Sequence, residues 1–211
     1  MPATQDSYPK KSHQDIGEPI VDPSWRLVVF VGPSGSGKDT LMVKSRDKLL
    51  AEGYNVHIVR RSITRPSDHN EAFESLTRDQ FIEHEANGRF ILSWDIYGNQ
   101  YGIPREQIDP YIMAGHVVLV NLSRAKTLEL KQHYPEAKLV LVKTPSETAK
   151  KRIENRKRDE PVEMLVARLK RFNEPIKIPF PELVILNDGS INASTWVLVE
   201  FLRSLASKSG G

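Results

Sequence analysis

The chain has 211 residues, enough for one domain with a substantial core, and 39% of them are hydrophobic. A formal net charge of +3, from 30 basic and 27 acidic residues, is too small an excess to argue for nucleic acid. The absence of cysteine excludes disulfides, thiolate zinc sites and cysteine nucleophiles, and no apolar run reaches membrane-spanning length. The cytoplasm is the expected location, with polar residues 1–23 as a flexible tail and residues 208–211 as a frayed end.

Along the chain, Trp25 to Val31 is an apolar run broken only by Arg26, which predicts a buried parallel strand. A glycine-rich turn follows, then a helix over about Lys38 to Ala51 stopped near Gly53, then a strand from Tyr54 to Val59. Arg60 to Glu74 reads as a polar loop. Thr77-Arg78-Asp79-Gln80 fits a capping box for a helix to about Asn87. Arg89 to Trp94 predicts a strand, Tyr97 to Gly102 a turn between short strands, and Pro104 a helix start.

The pattern then becomes regular. Val117 to Val120 predicts a short buried strand, Ser123 caps a helix to about His133, and Lys138 to Val142 is a further strand. Thr144-Pro145-Ser146-Glu147 suggests a capped helix, and a second helix is expected from about Pro161. Leu183 to Leu186 is the last strand, followed by a turn at Asn187-Asp188-Gly189 and an amphipathic helix from about Ser190 to Ala206. Alternating strands and helices argue for an α/β domain around a parallel sheet, with residues of about 60–110 as an insertion.

Gly32-Pro33-Ser34-Gly35-Ser36-Gly37-Lys38 fits G-x-x-x-x-G-K between a predicted strand and a predicted helix, with Asp39 and Thr40 next. Such a loop turns successive N–H groups toward phosphate oxygens, and the lysine adds a mobile charge. This implies ATP. Asp39 stands where Ser or Thr usually contacts Mg²⁺. Its carboxylate is either a hard-oxygen ligand for that ion or a charge that favours the helix N-terminus. Asn121 follows the Val117–Val120 strand where an aspartate commonly helps to hold Mg²⁺, so Asp39 is a candidate to compensate.

Lys150 to Arg158 holds six basic residues. Arg152 and Arg156 are candidates for a lid over the transferred phosphate, because the guanidinium fork binds phosphate bidentately. The alternative is a solvated helix face. A nucleic-acid patch fits poorly, since no aromatics interleave with the charges. Arg60, Arg61 and Arg65 follow the second strand, at the sheet edge where open α/β folds bind ligands, and are either acceptor-phosphate contacts or surface arginines. His57, His69, His84 and His116 lack metal-ligand spacing and read as structural.

The phosphate loop, Ser62-Ile63-Thr64-Arg65, Tyr101-Gly102 and the basic run resemble the guanylate kinase family over roughly Leu27 to Ile191. The loop with Asp39, Leu92-Ser93-Trp94, Val120-Asn121-Leu122-Ser123-Arg124, Glu154-Asn155-Arg156 and Asn187-Asp188-Gly189-Ser190 are similar to its ribose 1,5-bisphosphate phosphokinase branch. The resemblance implies a three-layer P-loop sandwich over residues 24–207, an acceptor-binding insertion and a lid at about 145–162. It further implies ATP with Mg²⁺ and a small phosphorylated sugar as partner, in a monomer or homodimer. Arg60, Arg61, Arg65, Glu71, Tyr101, Asn121, Arg124 and Arg168 would meet the acceptor. Pro66 to Phe73 is shorter than the nucleotide-reading segment of guanylate kinases, which suits an acceptor without a base. The alternatives are a nucleoside monophosphate kinase acting on GMP and a non-catalytic interaction module.

Overall fold

The computed structural model describes residues 22–66, 72–96, 98–155, 166–167, 170, 178 and 180–206. The apolar run forms β1 (Leu27–Val31), every residue fully buried, and leads through the glycine-rich loop into α1 (Lys38–Ala51) and β2 (Val56–Ile58). An excursion follows: β3 (Ser62–Ile63), β4 (Glu74–Ser75), α2 (Arg78–Ala86), β5 (Phe90–Ile96), β6 (Asn99–Pro104) and α3 (Asp109–Met113). The chain returns with β7 (Val117–Asn121), α4 (Thr127–His133), β8 (Lys138–Lys143), α5 (Ser146–Glu154), β9 (Leu183–Leu186) and α6 (Ile191–Leu205).

The main sheet has five strands in the order β2-β7-β1-β8-β9, and every pair is parallel. Successive residues of its strands feed opposite layers, as the period of two requires. Leu27, Val29, Val31, Val118, Val120, Leu139 and Leu141 join Ile108, Ile112 and Leu130 from α3, α4 and the turn before α3. Val28, Phe30, Leu119, Val140 and Val142 join Leu41, Met42 and Leu49 of α1 and Leu198, Val199 and Leu202 of α6. Each fully buried aliphatic chain contributes about 1.5–3 kcal/mol relative to exposure. The result is the expected three-layer α/β sandwich, and no helix among the described residues is long and apolar enough to cross a membrane.

The excursion builds its own four-stranded sheet, order β4-β3-β6-β5, with β3–β4 parallel and the other pairs antiparallel. Here local expectation and structure part. The stretch expected as a loop contains β3 and reaches β4, because Ser62 and Ile63 pair with both β4 and β6 and are fully buried. Asn99 to Gly102 belongs to β6 rather than to a turn, and Trp94 stacks on Tyr101 across the β5–β6 pair. Pro104 ends β6 with extended torsions and opens no α-helix; a 3₁₀ turn, Arg105–Gln107, comes first.

At the start of the domain, Pro23–Arg26 is a 3₁₀ turn because Asp22 accepts hydrogen bonds from the Ser24 N–H and hydroxyl, so the strand begins only at Leu27. The Thr77 capping box forms as expected, with both reciprocal bonds to Gln80. The one expected at Thr144 does not: α5 has no side-chain cap, and the Thr144 hydroxyl donates to the Asn187 carbonyl instead. Nor does the Ser123 side chain cap the 3₁₀ turn that follows it, Arg124–Lys126. The expected N-terminal tail up to residue 21, most of the helix from Pro161, Glu71, Arg156, Arg168 and residues 208–211 lie outside the described residues.

Candidate active site

The loop between β1 and α1 is shaped by contacts that only glycine permits. A Cβ on Gly32 would lie 2.3 Å from the Val142 carbonyl, so the loop could not approach β8. Gly37 has φ of 88°, and a Cβ there would lie 2.4 Å from Asn187 Nδ2. Within the loop, Lys38 is 8% exposed. Its ammonium donates to the Gly32 carbonyl at 2.9 Å, the Pro33 carbonyl at 3.0 Å and Ser36 Oγ at 3.4 Å. A buried cation needs such partners. All seven loop positions, Gly32, Pro33, Ser34, Gly35, Ser36, Gly37 and Lys38, therefore form one cradle ahead of the helix.

Asp39 stands in the first turn of α1, and its Oδ1 accepts from Asn121 Nδ2 at 2.7 Å. The two departures from the usual loop pattern are thus partners, one at the helix N-terminus and one at the end of β7. Thr40 is exposed. Among the described residues no three or more His, Asp or Glu side chains are grouped to hold a metal ion. One carboxylate beside a phosphate cradle nevertheless suits Mg²⁺, which keeps most of its waters and takes one or two carboxylates plus phosphate oxygens.

Two arginines approach this cradle from different elements. Arg152 of α5 is half-buried, and its Nη1 donates to the Gly35 carbonyl at 3.4 Å and the Asn187 carbonyl at 3.2 Å, whereas Lys150 and Lys151 are exposed. Among the described residues of the basic run, Arg152 thus faces the loop while Lys150 and Lys151 face solvent. Arg61 donates from Nη1 to the Asn121 carbonyl at 3.3 Å, and its guanidinium lies 5.7 Å above the Tyr101 ring. It therefore spans from the end of β7 to the second sheet. Arg65 lies 4.6 Å over the ring of Phe73, which is 5% exposed. Arg124 follows β7 on its 3₁₀ turn, half-buried.

Arg60 is not gathered with these. It is exposed and lines a separate cleft of about 100 Å³ with Glu74, Arg89, Pro104, Glu106 and Gln107. In that cleft Arg89 pairs with Glu106 at 2.7 Å, which raises its pKa, and with Glu74 at 3.4 Å. His57 stacks on Tyr111 with ring centroids 3.5 Å apart. Burial lowers its pKa against the opposing hydrogen bond to Gln107, with His116 and Arg46 adding further lowering.

Sequence reasoning gave two residues no role in the site. Phe73 was visible only as one apolar residue in a polar run. Asn187 stood in a segment read as a turn, yet it is 1% exposed and bonded to the loop.

A parallel sheet that delivers a lysine-bearing phosphate cradle at the end of its central strand defines a P-loop protein of the kinase type. The family model for guanylate kinase matches residues 24–205. The chain is 40% identical to the ribose 1,5-bisphosphate phosphokinase PhnN of Pseudomonas fluorescens, over 70% of this chain and 77% of that one. It is 36% identical to the PhnN of Thiobacillus denitrificans, over 84% of this chain and 92% of that one. The chain belongs to the guanylate kinase family, in its ribose 1,5-bisphosphate phosphokinase branch. The crystal structure of guanylate kinase from Anaplasma phagocytophilum shares the fold at a TM-score of 0.59, with 18% identity and 87% of each chain covered.

Proposed function

We propose that the protein transfers the γ-phosphate of ATP to ribose 1,5-bisphosphate, giving 5-phosphoribosyl 1-diphosphate (PRPP). The observation that carries this reading is Arg61, which bonds the strand end beside the nucleotide loop and rests on Tyr101 of the second sheet. A guanidinium there can hold the acceptor's phosphate against the cradle. The similarity to the phosphokinases of Pseudomonas and Thiobacillus supports the same substrate.

In this reading Gly32 to Thr40 bind ATP, and Lys38 leaves the loop carbonyls for the β- and γ-phosphates. Arg152 turns from the Gly35 carbonyl toward the transferred group, and Arg156 is assigned the same role from the sequence. Mg²⁺, held through Asp39, supplies charge neutralisation when bound. Arg61, Arg65, Glu71 and Tyr101 of the region of residues 60–110 bind the acceptor, together with Asn121, Arg124 and Arg168. Arg60 is assigned to the rim of that region rather than to its centre. The attacking phosphate oxygen on C1 is already ionised, so no general base is required. Lid closure over 145–162 excludes water and limits hydrolysis. The assignment includes a cytoplasmic location and a monomeric or homodimeric state.

Incubation with ATP and Mg²⁺, offering ribose 1,5-bisphosphate or GMP in parallel, tests this by phosphorus NMR. PRPP with little GDP is the expected result. GDP as the main product would instead establish the guanylate kinase activity that the shared fold also permits.

A further inference from the structure

Asn187 sits just beyond β9, where three parts of the nucleotide site converge. Its Nδ2 donates to the Ser36 carbonyl at 2.8 Å. Its own carbonyl accepts from Thr144 Oγ1 at 2.7 Å and from Arg152 Nη1 at 3.2 Å, and its N–H donates to the Lys143 carbonyl at 2.7 Å. Loop, β8–α5 connection and α5 are thereby tied to one residue that is 1% exposed.

The geometry has a chemical consequence. A planar trans peptide points its C=O and N–H in opposite directions. Holding the Ser36 oxygen on Asn187 therefore turns the Gly37 N–H to the other side of the loop. The preceding carbonyl, Gly35, is held in turn by Arg152. Two consecutive peptides of the cradle are oriented from outside it. The side chain of Asn187 also occupies the space that a Cβ on Gly37 would need, so loop and brace fit only as a pair.

We infer that Asn187 is a positioning residue: it sets the orientation of the phosphate-binding donors at Gly37 and seats Arg152 beside them. It acts through the loop, not by taking part in the transfer. This rests on the ATP-dependent reading of the site, but on no particular acceptor.

The test is calorimetric binding of Mg·ADP, with steady-state kinetics, for Asn187→Ala, Asn187→Asp and Thr144→Val. Asn187→Asp keeps the shape but loses the donor and sets a carboxylate against the Ser36 oxygen. Both Asn187 variants should weaken ADP by about 10-fold or more, as expected for losing a buried hydrogen bond, and lower kcat while the acceptor KM holds. Thr144→Val, which loosens the carbonyl that Arg152 shares, should weaken ADP about 3-fold and keeps the test open if an Asn187 variant does not fold. Wild-type ADP affinity and kcat in Asn187→Asp would overturn the inference and leave a packing role. Because ADP binding is read without acceptor, a failure of the ribose bisphosphate assignment leaves this result interpretable.

Discussion

Replacing Asn121 by aspartate makes a sharp test of the Asp39–Asn121 pair. The amide nitrogen now 2.7 Å from Asp39 Oδ1 would become a carboxylate oxygen. Two carboxylates about 4 Å apart repel by about 4 kcal/mol at an effective dielectric constant of about 20. That corresponds to roughly 3 pKa units, so the pair would share a proton up to about pH 7. A carboxyl whose folded pKa is raised gives stability that is present below its unfolded pKa and lost as pH rises through the folded one. The melting-temperature deficit of Asn121→Asp should therefore grow from about pH 4 to about pH 7 and reach about 8–16 °C. In Asp39→Ser/Asn121→Asp the serine hydroxyl donates to the relocated carboxylate, restoring one donor and one acceptor. Most of the lost stability should return, with Mg²⁺-dependent turnover. Scanning calorimetry across that pH range, paired with Mg²⁺ titration of activity, decides the matter. A pH-independent melting curve for the single variant, or a double variant no better than the single, would refute the reasoning.

Other consequences are simpler to measure. Lys38→Ala should lower kcat by about 10²–10³ while the circular dichroism of the folded protein persists. Arg61→Ala should raise the KM for ribose 1,5-bisphosphate by about 10-fold or more and leave that for ATP unchanged, with Arg61→Lys a poor substitute because it lacks the planar fork. His57, its pKa lowered mainly by burial, should cost stability as pH falls below about 6.5 toward the folded value. The urea midpoint of wild type should fall between about pH 7.5 and about pH 5.5 by more than that of His57→Gln, which has no imidazole to protonate. Thr77→Ala removes one arm of the capping box on α2 and should cost about 1 kcal/mol, read as a shift of roughly 2–4 °C.

The parallel core was legible because its strands are continuous apolar runs and its loop has a spacing that few other structures require. Local signals also located α2, since both halves of the Thr77 box lie within four residues. The second sheet was not legible in the same way. Ser62 and Ile63 form a strand only through partners more than ten positions away, and Pro104 resembles a helix start until β5 is alongside it. The same limit applied to the site. Lys38, Asp39 and Asn121 were visible from motif and strand position, and Arg152 could be named but not separated from its solvated neighbours. Asn187 acts on a loop 151 positions earlier, a relation that no local pattern carries.

The excursion leaves the main sheet after β2 and returns to it at β7, and these strands are immediate neighbours, with Val56 opposite Val117. Its two ends are therefore anchored side by side on one stretch of backbone pairing. Such an arrangement behaves as a cassette. Residues between the anchors can be lengthened, shortened or exchanged without altering the order of the five core strands or the nucleotide loop. If the excursion holds the acceptor as proposed, one scaffold can in this way acquire a new acceptor while its phosphate donor stays the same.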